Sequence, residues 1–142
     1  MNKNLLSGKE GEDVASKYLE NKGYIVLDRN YRRKFGEIDI ICRSRDKTLV
    51  FAEVKFIRQL PDSGSIAGLL PEDNLSMSKL MKLRKMASGY ANANPQLIDE
   101  GTGWRIDLLA LTLLQNSGSI PSKSNGLTKD GRNYKINHYQ NI

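Results

Sequence analysis

The sequence has one cysteine, one histidine, one tryptophan and four prolines in 142 residues. The lone Cys42 excludes an internal disulfide and any cysteine-built zinc site. The lone His138 excludes a multi-histidine metal centre, and a serine triad would have to rest on that one imidazole. No apolar run approaches the roughly 18–20 residues that cross a bilayer as a helix. The opening, Met1-Asn2-Lys3-Asn4-Leu5-Leu6, lacks the apolar core of an export signal. A cytoplasmic protein in a reducing compartment is therefore expected. Acidic residues are also in the minority, with 16 Asp and Glu against 22 Lys and Arg, a net charge of +6. Such a surplus favours polyanionic partners, nucleic acid before an anionic membrane. No helix combines a basic face with exposed large aromatics, which argues against the membrane.

What is present suffices for one core: 39% hydrophobic and 27% charged residues over a length of one domain, 1–142, without internal repeats. Residues 7–22 read as a helix, with Ser7 and Glu10 in a capping-box pattern and Gly23 as the stop. A short β run at 24–27 precedes a basic turn over 29–34. Two strands follow, 36–43 and 48–56, then a long loop over 59–75 holding Pro61, Gly64, Gly68 and Pro71. A second helix starts at Ser76 and runs to about Ala93, before Pro95. An apolar strand over 104–113, a flexible Ser/Gly/Asn-rich connection over 115–132 and a polar strand near 134–140 complete the chain. The order α-β-β-β-α-β-β predicts an α/β fold, a mixed sheet flanked by helices.

Strand side chains alternate between faces. Leu49, Phe51, Glu53 and Lys55 share one face of the third strand, opposite Val50, Ala52, Val54 and Phe56. In the second strand Glu37, Asp39 and Ile41 lie opposite Ile38, Ile40 and Cys42. A three-residue turn, Arg45-Asp46-Lys47, pairs Ser44 with Thr48 and sets Asp39 across from Glu53. Directly opposed Cβ atoms are roughly 4.5–5.5 Å apart, so the two carboxylates need a cation, either Lys55 or a divalent metal. The other register would mix the apolar and charged faces. In the first helix Gly8, Gly11, Val14, Ala15, Tyr18 and Leu19 form one arc, with Glu12 at its edge. Glu12 is thereby carried toward the sheet, whereas Glu10, Asp13 and Glu20 read as solvated. Asp39, Glu53, the Val54 carbonyl and Glu12 offer the oxygen donors that magnesium or manganese prefers. Lys55 could orient a water or stabilise charge on a phosphate.

These motifs resemble a known family. Gly8-Lys-Glu-Gly11-Glu12, Arg29-Asn30-Tyr31-Arg32, Gly36-Glu37-Ile38-Asp39, Glu53-Val54-Lys55, Lys79-Leu-Met-Lys82-Leu83 and Arg105-Ile106-Asp107 together resemble the YraN-like bacterial proteins. Those are regarded as candidate endonucleases of the restriction-endonuclease-like, PD-(D/E)XK superfamily, similar to Holliday-junction resolvases. The resemblance implies a restriction-endonuclease-like fold, magnesium dependence, a DNA substrate, for which branched or structured DNA is one candidate form, and an active-site set of Glu12, Asp39, Glu53 and Lys55. By the same analogy a homodimer is expected. The family's arginine two residues after the EVK lysine is displaced here, with Ile57 at its place and Arg58 one further on. A non-catalytic DNA-binding or DNA-processing accessory protein on the same scaffold is the competing reading.

Other residues read two ways. Lys79, Lys82 and Lys85 lie off the apolar stripe of the second helix, as either a solvated face or a phosphate-tracking one. Arg29, Arg32, Arg33 and Lys34 are similar, with Tyr31 able to stack on a base. Glu37 shares the face of Asp39 and reads as either a further ligand or, in preference, a structural hydrogen-bonding residue. Asp107 is expected to pair with Arg105 or Arg84, Cys42 to lie in the core, His138 to be structural or exposed, and Trp104 to pack where its strand begins.

Overall fold

The computed structural model describes residues 8–57, 75–114, 126–127 and 133–142. The expected loop over 59–75 lies outside them apart from Leu75, and Arg58 lies outside them too. Of the expected connection over 115–132, only Gly126 and Leu127 are described. Helix α1 spans Gly8–Asn21, and strands β1, β2 and β3 span Ile25–Arg33, Gly36–Arg43 and Leu49–Ile57. Helix α2 spans Met77–Ala93, followed by a 3₁₀ turn at Pro95–Leu97 and β4 at Trp104–Leu114. The two-residue β5, Gly126–Leu127, and β6, Asn133–Tyr139, complete the described order.

The strands form one mixed sheet in the order β1-β2-β3-β4-β6-β5. β3 and β4 run parallel, with α2 in the connection between them, and the other pairs are antiparallel. α2 begins where the Ser76 hydroxyl accepts from the Lys79 N–H at 3.1 Å. It ends before Pro95, which cannot continue a helical ladder. The fold expected from the sequence is present, with β5 added.

β1 differs from the expectation of a short run and a basic turn, since it continues to Arg33. Its register against β2 shifts by one residue between Val26 and Asp28, after which Arg29 pairs with Ile40 and Tyr31 with Ile38. β1 is the edge of the sheet, and an edge strand tolerates charged side chains that a central strand would exclude.

Each face of the sheet carries one helix. Val14, Ala15, Tyr18 and Leu19 of α1 pack with Ile40, Cys42, Val50, Ala52, Leu109 and Ile136. Leu83, Met86 and Ala87 of α2 pack with Ile38, Ile41, Leu49, Phe51 and Ile106 on the other face. β3 alternates as the sequence predicts, but β2 does not. Ile38 was expected beside Ile40 and instead joins Ile41 on the α2 face. The alternation breaks around Asp39.

A buried polar group ties the last strand to α1. Asp107 is fully buried and accepts from Arg105 at 2.9 and 3.3 Å and from the Asn141 N–H at 3.0 Å, with His138 Nε2 at 2.7 Å. Tyr18 Oη lies 3.4 Å from His138 Nδ1. Asp107 thus has Arg105, and His138 is structural. Arg84 instead donates to the Ile142 carbonyl at 3.0 Å. Cys42 is buried in the core, and burial pushes its thiol up to about 12. Trp104 packs edge-on against Phe51 where β4 begins. Glu10 is not merely solvated, because it accepts from the Tyr134 hydroxyl at 2.9 Å.

Burial alone would raise the Asp107 carboxyl, but the bonds from His138, Arg105 and Asn141 outweigh it and hold the group below its ordinary 3.8. A depressed carboxyl stabilises the fold above its unfolded pKa, and that contribution is lost as the pH falls below it. Asp107→Ala should therefore cost about 3 kcal/mol at neutral pH, because the part-buried Arg105 and His138 both lose the fully buried acid they pair with. Urea unfolding checks this, and the gap to the wild type should narrow as the pH drops below 3.8.

Candidate active site

β2 and β3 pair in the predicted register, Arg43 with Leu49, Cys42 with Val50, Ile41 with Phe51 and Ile40 with Ala52. The Ser44 N–H donates to Thr48 O at 2.9 Å, which makes alternate pairs from there the hydrogen-bonded ones. Continued two steps past Ile40, that pattern would give the Val54 N–H to the Ile38 carbonyl. Instead it donates to Asp39 Oδ2 at 2.8 Å. The Asp39 carboxylate stands in for a ladder acceptor, and the backbone pairing stops there.

Asp39 and Glu53 are only 8% and 4% exposed. Burial raises the Asp39 carboxyl to about 7, and the Glu53 charge adds to it. The Val54 N–H opposes the shift, while a side-chain hydrogen bond with Glu53 and the charge of Glu37 favour the protonated form. Around neutrality Asp39 is therefore poised between its two states. Glu12 comes within electrostatic reach of this pair. Its carboxyl is raised by burial, lowered by a hydrogen bond from Asn30, and raised by Asp39. Asn30 sits at φ 55°, a left-handed conformation that asparagine tolerates. Arg29 Nη2 lies 3.8 Å from Glu12 and 2.7 Å from Asp13, so β1 and α1 are tied across the acid.

The cation beside Glu53 is Lys79, with Nζ 2.6 Å from Oε2. Lys55, the expected partner, follows Glu53 by two residues on the same face of β3, is exposed, and makes no ion pair among the described residues. Among the described residues no three His, Cys, Asp or Glu side chains gather closely enough to hold a metal ion. The expected convergence of three acids is realised as a pair, Asp39 and Glu53, with Glu12 engaged by Asn30 and Arg29 instead. The pair nevertheless suits a hard divalent ion. Its donors are all oxygen, and each acid bears a repulsion that a cation would relieve.

Two hollows flank Glu37. One, of about 370 Å³, is lined by Phe35, Glu53, Lys79, Lys82 and Met86 among others. The other, of about 540 Å³, is lined by Lys9, Glu12, Arg29, Asn30 and Arg32. Several of the basic residues considered for phosphate contact are engaged internally. Arg32 pairs with Glu37 at 2.9 Å, with both side chains exposed. Arg33 lies 4.2 Å over the Tyr31 ring, which also meets Tyr90 edge-on at 5.0 Å. Tyr31 is thus a packing residue here, and Phe35 is the exposed aromatic at the turn. Lys85 lies 4.9 Å over the Phe35 ring. Lys82 lines the first hollow, and Lys34 is exposed in the turn before Phe35.

The role of Lys79 is the one that sequence reasoning missed. A signal was available, since the first turn of α2 holds no acid although that end of a helix favours negative charge. A lysine there needs an acid elsewhere, and the sequence does not say which.

The profile of a family described as uncharacterised protein family UPF0102 matches residues 11–111. The chain belongs to this family. A UPF0102 protein of Alkaliphilus oremlandii is 34% identical over 141 residues, covering 99% of this chain and 98% of the relative. A UPF0102 protein of Chloroherpeton thalassium is 38% identical over 113 residues, 80% of each chain. One from Dictyoglomus turgidum is 44% identical over 90 residues, 63% of this chain and 70% of the relative. The UPF0102 match encloses Glu12, Asp39, Glu53, Lys55, Lys79 and Asp107, while β6 and His138 lie beyond it.

The raised carboxyl carries a linkage consequence. Because folding lifts the Asp39 pKa, its contribution to stability is complete below 3.8 and is lost as the pH rises through about 7. Asp39→Asn keeps an oxygen for the Val54 N–H and removes the charge facing Glu53. In chelator at pH 8 this variant should be more stable than the wild type by ~1–2 kcal/mol. The difference should fade toward pH 4, as thermal denaturation across pH will show.

Proposed function

We propose that this UPF0102 protein is a metal-dependent nuclease that hydrolyses DNA phosphodiester bonds, with branched or otherwise structured DNA as its preferred substrate. The observation that carries the reading is the buried, mutually repelling Asp39–Glu53 pair beside a hollow rimmed by lysines. Lys79 meets only Glu53, and Asp39 faces that acid with one backbone N–H as its compensation, so the pair is best understood as a site for a cation. Asp39, Glu53 and the Val54 carbonyl would hold magnesium or manganese, with Glu12 reaching it directly or through water. Once bound, such an ion polarises a phosphodiester and lowers the pKa of a water molecule.

The chain's own groups divide the remaining work. Lys55, exposed on the Glu53 side of β3, meets the phosphate and steadies charge that develops on its oxygens. Lys82 and Lys34 are left to contact flanking phosphates. The surplus of +6 supplies long-range attraction for a polyanion. In the net reaction water adds to phosphorus, a P–O ester bond breaks, and the departing oxygen takes a proton.

A non-catalytic DNA-binding protein on this scaffold is the competing reading. It is favoured by one observation, that no three-ligand group is assembled among the described residues. Nicking of supercoiled plasmid and cutting of a four-way junction, with magnesium or manganese, separates the two. The wild type should cleave, and Asp39→Asn and Glu53→Gln should each lose about a hundredfold or more, since even outer partners of a metal site cost 10–100-fold. Salt-sensitive binding with no cleavage by the wild type would favour the accessory protein.

A further inference from the structure

Lys79 is out of place by local criteria. A positive charge in the first turn opposes the helix dipole, and α2 carries Lys79 there with no acid in that turn. Its compensation comes from across the hollow. The ammonium is 2.6 Å from a Glu53 carboxylate whose side chain is 5% exposed, while Lys79's own side chain is 51% exposed. The charges of Asp39 and Glu37 act on Lys79 in the same direction.

We propose that Lys79 is the resident counter-ion of the acid pair, and that a divalent cation gains Glu53 only by displacing its ammonium. The proposal rests on the nuclease reading above and adds a gate on occupancy of the site. The two partners differ in freedom. Glu53 is fixed on a central strand, whereas Lys79 ends a flexible four-carbon stem that is half in solvent, so the lysine is the one that leaves. Once released, the ammonium stays at the wall of a hollow that also holds Lys82. A substrate phosphate there would offer it a new partner. Cation and substrate would then share the loss of one internal ion pair, and each would favour binding of the other.

Calorimetric titration with manganese tests this on the intact chain, comparing wild type, Lys79→Met, Lys79→Gln, Lys79→Arg and Lys82→Met. Removing a unit charge that close to the donor should tighten manganese binding about tenfold or more in the Met and Gln variants. Lys79→Arg and Lys82→Met should stay within about threefold of the wild type, because both leave a cation at Glu53. Without metal the Met and Gln variants should melt earlier, and manganese should raise their melting temperature more than it raises the wild type's. Binding by Lys79→Met with none by the wild type would be the gate in its strongest form. Unchanged or weaker binding by the Met and Gln variants, with a normal wild-type isotherm, would overturn the gate and leave the nuclease reading standing. No manganese binding by any folded variant would overturn the metal site itself, and the gate with it.

Discussion

The hydrogen bond from the Val54 N–H to Asp39 organises the site. A side chain there does what a neighbouring backbone would otherwise do, and it does so with a charge. The consequences run in both directions along β2. Toward Ile40 the strand stays in register with β3 and fills the α1 face. Toward Ile38 it turns its apolar side chain to α2. Asp39 sits at the crossover, where its buried carboxylate accepts from β3 and interacts with Glu53. A carboxylate held by a strand N–H is also a carboxylate with a fixed direction. That is the kind of rigidity a cation site needs from its ligands.

Both helices are placed to serve this point. α1 approaches the sheet closely at Gly11, where an added Cβ would fall 1.9 Å from the tip of the Phe56 ring. The next residue is Glu12, so the close approach is what delivers that acid to the neighbourhood of Asp39. α2 arrives on the other face and delivers Lys79 to Glu53. One helix contributes negative charge and the other positive, which leaves the acid pair under opposing influences. Burial and Glu37 favour protonation of Asp39, and the Val54 N–H resists it. The site rests near a balance that a modest change in charge can tip.

Much of this was legible in the sequence because it followed from periodicity. A three-residue turn and the demand for unmixed faces fixed the β2–β3 register, and the apolar arc of α1 brought Glu12 to the correct side. What escaped the reading did so for identifiable reasons. Strict alternation cannot foresee a residue such as Ile38 changing faces, because the break depends on Asp39 capturing a backbone donor. The length of β1 escaped because arginines suggest a turn, whereas an edge strand accommodates them. Lys79 escaped because pairing across 26 positions is a tertiary fact, visible in the sequence only as a cation at an unfavourable helix end.

The two buried aspartates among the described residues make an instructive contrast. Asp107 and Asp39 are both excluded from solvent, and burial raises both. Asp107 is given two cationic or imidazole partners and a backbone N–H, so its charge is held and the group is structural. Asp39 is given one N–H and a second acid, so its charge is opposed. The same side chain is thus spent on cohesion in one place and on tension in the other. The cohesive network clamps β6 and the start of β1 to α1 through His138, Arg105, Tyr18 and Tyr24. That clamp steadies the helix which carries Glu12. A fold that holds two acids face to face needs such an anchor elsewhere, since their repulsion costs stability that other contacts must supply. The contrast between a carboxylate whose charge is held and one whose charge is opposed therefore separates the part of the protein that fixes its shape from the part held under tension.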